Sequence, residues 1–485
     1  MVTSPRRAIL LRFAIPACGL ASVALFAILY VDYSQIYHKA MTALIVSPGP
    51  HPFVDWEEIP AAIRCRSNGI DVYVNNPCLT VIPNDVFNYS PLWLRLTFIR
   101  YTDKWTNFLG LSFAILFFLS LSLLPPPCTT RFDFVITFFS TISSVTAFAV
   151  ERANLDLIMF VMIVVGVLAC GSRLAVRLAG YVVITLGGLL KFYPLAALIM
   201  AIRERPAVFA TVALAATTAL GGLVFSYHEE VGQMVRDLPL GALFHPSHPL
   251  QFSAYDLPNG LAVMTSHVAT KLFRQDGISA RAIRRVVYNS VLLLLTVLTA
   301  VTAIWLGDRY RLHYALRQLD PREADFLFAG AAILFGCFFA GENVRYRAIF
   351  LLLALPGLLA LPHRLPSMVP RVSFRGSCVV IVFVLWFPFV QGCMRVAVAA
   401  LERIFYLNDQ GLIRQVRVIQ LLWLCDQLAW WWIVIVLLAV LGTLALNSEL
   451  WAALSRVAES LIAAQLRSSD RWRISLRWPR RIKPF

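Results

Sequence analysis

Glu151, Arg152, Asn154 and Asp156 border one long apolar run of the chain, and Lys191 and Tyr193 interrupt another. Further charged and polar residues stand at the edges of other apolar runs: Asp32, Tyr89, Asp256, Asn343, Tyr346 and Arg347. Ionised side chains near the middle of a bilayer cost roughly 2.5 to 3.5 kcal/mol each, so charges beside spans need partners or a chemical task. Any one of them can serve simply to solvate a helix end. Taken together they mix carboxylates with arginines and a lysine, which suits transfer of a group from an anionic lipid. The cations would hold a phosphate and a carboxylate would receive a proton.

The elements that must position these residues are membrane spans. Of the 485 residues, 59% are hydrophobic and 14% charged, and the mean hydropathy is +0.71, far from the ~25% charge of a soluble domain. Runs of roughly 20 apolar residues, long enough to cross ~30 Å of hydrocarbon, recur along the chain. This pattern describes an all-α polytopic membrane protein of about 10 to 12 spans. The formal charge of +16 does not point to nucleic acid, because the basic residues gather in short loops beside spans, as the positive-inside rule describes. The nine cysteines show no metal-ligand spacing. Only Cys65 and Cys78 share a polar loop, where an oxidising compartment would allow a disulfide.

Arg6, Arg7 and Arg12 place the start of the first span, near residues 8–30, on the cytoplasmic side, with Asp32 emerging on the far side. Its apolar run is longer than a cleaved signal peptide requires. A long first extracytoplasmic loop, about 32–104, balances Asp55, Glu57, Glu58, Asp71 and Asp85 against Arg64, Arg66, Arg95 and Arg100. Spans follow near 105–124, 132–150 and 155–171, and Arg173 and Arg177 form a cytoplasmic turn. The apolar pieces 178–190 and 195–202 are each too short to cross as ordinary helices. They read either as one kinked span or as a broken hairpin with Lys191–Pro194 at its apex, and we favour the hairpin. A span near 207–227 opens a second loop, about 228–285, whose His245 and His248 read as ordinary loop residues rather than metal ligands. Five more spans lie near 286–306, 325–340, 348–361, 379–396 and 421–446, and a basic tail, 447–485, suits a cytoplasmic surface of anionic lipid. Residues 1–446 thus form one membrane domain of twelve passes, with both termini inside. This orientation, set by lysines and arginines alone, puts every residue of the first paragraph on the far side.

Two motifs carry a resemblance. Arg152-Ala153-Asn154-Leu155-Asp156 and Lys191-Phe192-Tyr193-Pro194 resemble the G/R-N-x-D and K-x-Y-P elements of the polyprenyl-phosphate-sugar-dependent membrane glycosyltransferases, glycosyltransferase family 87, of GT-C architecture. Phe87-Asn88-Tyr89-Ser90-Pro91, the stretch Phe252–Leu261, and Asn343, Tyr346 and Arg347 extend the likeness, with Ser90 where the family has proline. The resemblance implies a GT-C-like bundle in the plasma membrane that moves a mannose- or arabinose-type sugar from a polyprenyl-phosphate donor to an extracytoplasmic glycan or lipid acceptor. It further implies Asp32, just after the first span, as general base, and inversion at the anomeric carbon. Arg152, Lys191 or Arg347 would meet the donor phosphate, whose growing charge must be stabilised as it leaves. Tyr89, Glu151, Asn154, Asp156, Tyr193, Asp256, Asn343 and Tyr346 would line the pocket. No DxD element with nucleotide-sugar character stands between spans, so neither a metal nor a cofactor is expected. A lipid transporter or flippase is the competing class, and it would show paired broken helices at mid-membrane depth. A scaffold acting through its tail is the third.

Overall fold

The computed structural model describes residues 5–44, 49, 51–79, 86–99, 102–126, 130–237, 251–273, 277–341, 343–404 and 410–468. The His245 and His248 run, Asp85 and the last 17 residues, 469–485, lie outside this set. Helices follow in chain order: α1 Pro5–Asp32, α2 Ser34–Ala43, α3 Val54–Ser67, α4 Asp103–Leu121, α5 Arg131–Thr141, α6 Ser144–Arg152, α7 Asp156–Cys170, α8 Leu174–Lys191 and α9 Pro206–Ser226. The second half adds α10 His228–Asp237, α11 Asp256–Phe273, α12 Gly277–Arg309, α13 Leu312–Arg317, α14 Pro321–Ala340, α15 Leu351–Arg364, α16 Met368–Ile404, α17 Gln410–Leu446 and α18 Glu449–Ser468. Among the described residues nine helical segments are long and apolar enough to cross a membrane, and three shorter apolar ones, Trp105–Leu121, Asp156–Cys170 and Tyr193–Arg203, accompany them. The protein is an all-α, multi-pass membrane protein. Its outer helices leave Phe225, Leu293 and Ile304 exposed, as lipid-facing side chains should be, whereas α14 and α15 bury most of theirs.

Several boundaries differ from the sequence reading. The span expected over 132–150 is two helices: Ser143 accepts from the Thr146 amide and restarts the chain as α6. The loop expected over 228–285 contains α10 and α11, and it ends earlier because α12 begins at Gly277. Arg284 of α12 donates to Asn259 Oδ1 on α11 at 2.9 Å. The described part of the first loop packs against the spans. Its helix α3 buries ten side chains, Trp56 packs edge-on against Phe113 of α4 and against Trp93, and a Cys65–Cys78 disulfide with Cα atoms 5.7 Å apart closes its end.

The stretch after α8 is a hairpin limb. Residues Tyr193–Arg203 form a 3₁₀ helix, and Glu204, just beyond it, accepts from Tyr181 at 3.2 Å and pairs with Arg177 at 3.1 Å, both in the first half of α8. A 3₁₀ helix rises about 2.0 Å per residue against about 1.5 Å for an α-helix. Eleven residues therefore reach about 22 Å, enough to run back along most of α8. Arg203 is paired with Asp325 at the start of α14 and fixes the far end of the limb. Helix α18 contacts this limb and α9.

A small antiparallel pair, β1 Gln251–Phe252 and β2 Asn343–Val344, joins the two halves of the chain. It is anchored by Arg345, whose guanidinium lies 2.6 Å from Asp426 of α17 and donates to the Gln251 carbonyl at 3.1 Å. Phe252 stacks on Trp430 with ring centroids 4.1 Å apart.

Candidate active site

Local chain geometry brings the charged residues together. Helix α6 ends at Ala153, whose φ of +45° and ψ of +42° lie in the left-handed region; this reversal lets Asn154 fold back, its side-chain oxygen capping the Asp156 amide at 3.1 Å. Helix α8 ends at Phe192, again with positive φ, +48°. Two non-glycine residues in sparsely populated backbone regions thus flank the cluster, a placement that recurs at functional sites. A third element, the 3₁₀ turn Arg345–Phe350 after β2, carries Tyr346 and Arg347.

Asp156 is the centre. Its carboxylate has no exposure to solvent; Oδ1 lies 2.5 Å from Lys191 Nζ and accepts from the Tyr193 hydroxyl at 2.6 Å, while Oδ2 lies 3.6 Å from Arg347 Nε. Lys191 also donates to Asn154 Oδ1 at 2.7 Å. The amide of Asn154 donates to Asp55 Oδ2 at 2.9 Å, and Arg152 reaches Asp55 Oδ1 at 3.4 Å. Arg347 donates to Asn343 Oδ1 at 2.5 Å, and Asn343 is held in turn by the Cys337 carbonyl. Aromatic faces line the cations: Tyr89 and Tyr346 stand 5.1 and 5.8 Å from Lys191 Nζ, and Tyr193 stands 5.2 Å from the Arg347 guanidinium carbon. The Trp93 indole donates to the Leu190 carbonyl at 3.1 Å and docks the first loop over the end of α8.

The three cations of the sequence reading, Arg152, Lys191 and Arg347, are therefore joined through Asp55, Asn154 and Asp156 in one continuous network. Glu151 adjoins it: its Oε2 is 3.4 Å from Arg152 Nε, and its Oε1 accepts from the Gly49 amide at 3.3 Å. Comparison of the chain with family models, curated proteins and solved structures finds no match. What the cluster can do must therefore be read from its own chemistry.

Two expected residues lie outside the network. Asp32 is exposed at the end of α1 and, among the described residues, makes no hydrogen bond or ion pair with it. Asp256 opens α11 next to the β1–β2 pair, and its charge bears on Tyr288. The residue that sequence reading missed as a site member is Asp55, in the first turn of α3. Its side chain is only 17% exposed. Burial pushes its carboxyl above the ordinary value, against the opposing pull of Arg152 and of the Asn154 hydrogen bond. Burial likewise pushes the Tyr89 phenol up, so this ring faces Lys191 as a neutral phenol. The available signal was Trp56 and Ile59 beside Asp55, Glu57 and Glu58, an apolar helix face inside a polar loop.

Chemically, the site offers cations close enough to bind a phosphate, a buried carboxylate at their centre, and a second carboxylate, Asp55, supplied by α3 of the first loop.

Proposed function

We propose that the protein is a membrane glycosyltransferase of the polyprenyl-phosphate-sugar-dependent kind, with GT-C-like architecture, acting on the extracytoplasmic side. The observation that supports this reading most is the Lys191–Asp156–Arg347 arrangement, two cations on one fully buried carboxylate, with the Arg347 guanidinium over the face of Tyr193. Asp156 fixes the two cations in place, and a lipid phosphate entering beside them would meet preorganised donors. In the transfer step the sugar carbon–oxygen bond to the phosphate breaks, the electron pair stays on the phosphate, and an acceptor hydroxyl oxygen bonds to the anomeric carbon. The hydroxyl proton passes to a carboxylate.

The resemblance points to Asp32 as that carboxylate, whereas the geometry favours Asp55. Asp55 touches Arg152 and Asn154 of the network, and burial raises its affinity for a proton, the direction a general base requires. Sugar transfer by wild type, Asp32→Asn and Asp55→Asn, measured with a lipid-phosphate donor at equal protein, decides between them. Loss of about 10² to 10⁴ in turnover in Asp55→Asn alone assigns the base to Asp55, and loss in Asp32→Asn alone assigns it to Asp32. Wild-type turnover in both removes the proposed proton transfer.

A second reading, a lipid flippase, is favoured by one feature, the broken α8–3₁₀ segment around Phe192. It predicts movement of lipid between leaflets with no release of lipid phosphate.

A further inference from the structure

A cavity of about 420 Å³ opens between α1, α2, α4 and the α5–α6 break, within the ~300 to 1,000 Å³ range of small-molecule sites. Its walls run along α1 from Gly19 to Val31, about 18 Å of helix. Val23, Ala27, Leu111 and Ala147 are among the apolar side chains on them. Three of the four walls belong to apolar membrane helices. Apolar space of this size inside a membrane holds hydrocarbon in preference to water.

The polar end of the cavity carries Glu151 and Tyr37, the phenol close enough to feel the charge of the carboxylate. No lysine or arginine lines it among the described residues. A phosphate brought there would face a carboxylate, while hydroxyl groups would find an acceptor. Past Glu151 the contacts continue to Arg152 and from Arg152 to Asp55, at 3.4 Å in each case. The cations that suit a phosphate, Lys191 and Arg347, stand on the other side of Asp55 and Asn154.

We propose that this cavity takes the hydrocarbon chain of a lipid whose polar end carries hydroxyl groups and no phosphate at the Glu151 position, so that a hydroxyl is presented toward Asp55. Naming this lipid the acceptor rests on the transfer reading above; its binding does not. Two lipids would then approach the network from opposite sides, the hydroxylated one along α1 and α4 and the phosphorylated one at Lys191 and Arg347.

The test uses the full chain in lipid nanodiscs and two photoreactive probes of one prenyl chain, ending either in an alcohol or in a monophosphate, with labelled peptides mapped by mass spectrometry. The alcohol should label α1 between Val23 and Val31 and α4 near Leu111. Ala27→Trp and Ala147→Trp, which fill the cavity, should each lower that labelling about tenfold. Glu151→Gln should narrow the preference for the alcohol over the phosphate. If the Trp variants do not fold, competition on wild type decides: unlabelled prenyl alcohol must displace the probe at lower concentration than prenyl phosphate. Stronger displacement by the phosphate, or labelling that avoids α1 and α4, overturns the assignment. Sugar transfer is not part of the readout, so absence of transfer activity leaves this result standing.

Discussion

Replacing Lys191 by methionine removes an ammonium from the middle of the network while keeping a flexible chain of similar length. The perturbed contacts are those to Asp156 Oδ1 at 2.5 Å and Asn154 Oδ1 at 2.7 Å, both on groups with no solvent exposure. Breaking a buried ion pair from one side costs about 3 to 5 kcal/mol, because the remaining charge is stranded. Here Arg347 still lies 3.6 Å from Oδ2 and Tyr193 still donates at 2.6 Å, which places the loss at the lower end, about 3 kcal/mol. Adding Asp156→Asn removes the stranded charge, and contacting residues of this kind couple by about 0.5 to 3 kcal/mol, so the double variant should be more stable than Lys191→Met. Transfer should not follow stability. If Lys191 stabilises the leaving phosphate, both variants should lose about 10²- to 10³-fold in turnover. Unfolding in nanodiscs and initial rates of lipid-phosphate release measure the two quantities separately. A double variant that regains stability and wild-type turnover would refute the reasoning, leaving the pair as a brace alone.

Other consequences are equally direct. Because folded Asp55 binds its proton more tightly than the unfolded chain does, its contribution to stability is full below the ordinary carboxylate value and is lost as pH rises through the folded value; Asp55→Asn should flatten that part of a melting-temperature profile. If Asp55 is the base, the acid limb of kcat/KM should lie above the ordinary carboxylate range and should vanish with Asp55→Asn. Arg345→Met should cost about 3 to 5 kcal/mol by stranding Asp426, and Asp426→Leu in the same chain should recover much of it, both read by unfolding. Cys65→Ala with Cys78→Ala should lower stability by about 3 kcal/mol in the chain-entropy model, detected as earlier unfolding of the first loop in hydrogen exchange.

What could be read from the sequence was whatever borders a span. Arg152, Asn154, Asp156, Lys191 and Arg347 each interrupt or end an apolar run, and the alternation of lysine and arginine in short loops assigned them to one side before any geometry was known. Asp55 has no such flag. It is one of several acidic residues of a mixed loop, and only tertiary docking of α3, through Trp56 on Phe113, turns it inward. Asp32 drew attention by its position after the first span, and that position is also why it is exposed. The limb Tyr193–Arg203 looked too short to cross because length was judged at the α-helical rise, and its 3₁₀ form supplies the missing reach. The expected span holds as the apolar segment Arg131–Arg152; the break within it at Ser143 was written in Ser140–Thr146, whose hydroxyls compete with helical hydrogen bonds, and hydropathy alone does not show it.

The most direct measurement is turnover by the wild-type protein, purified into nanodiscs and given a panel of polyprenyl-phosphate sugars together with the corresponding sugar nucleotides. The account predicts release of polyprenyl phosphate in step with transfer of sugar from at least one lipid-linked donor, and none from a nucleotide. Transfer from the nucleotides, or intact lipid-linked donors moved across the bilayer without release of phosphate, would contradict it.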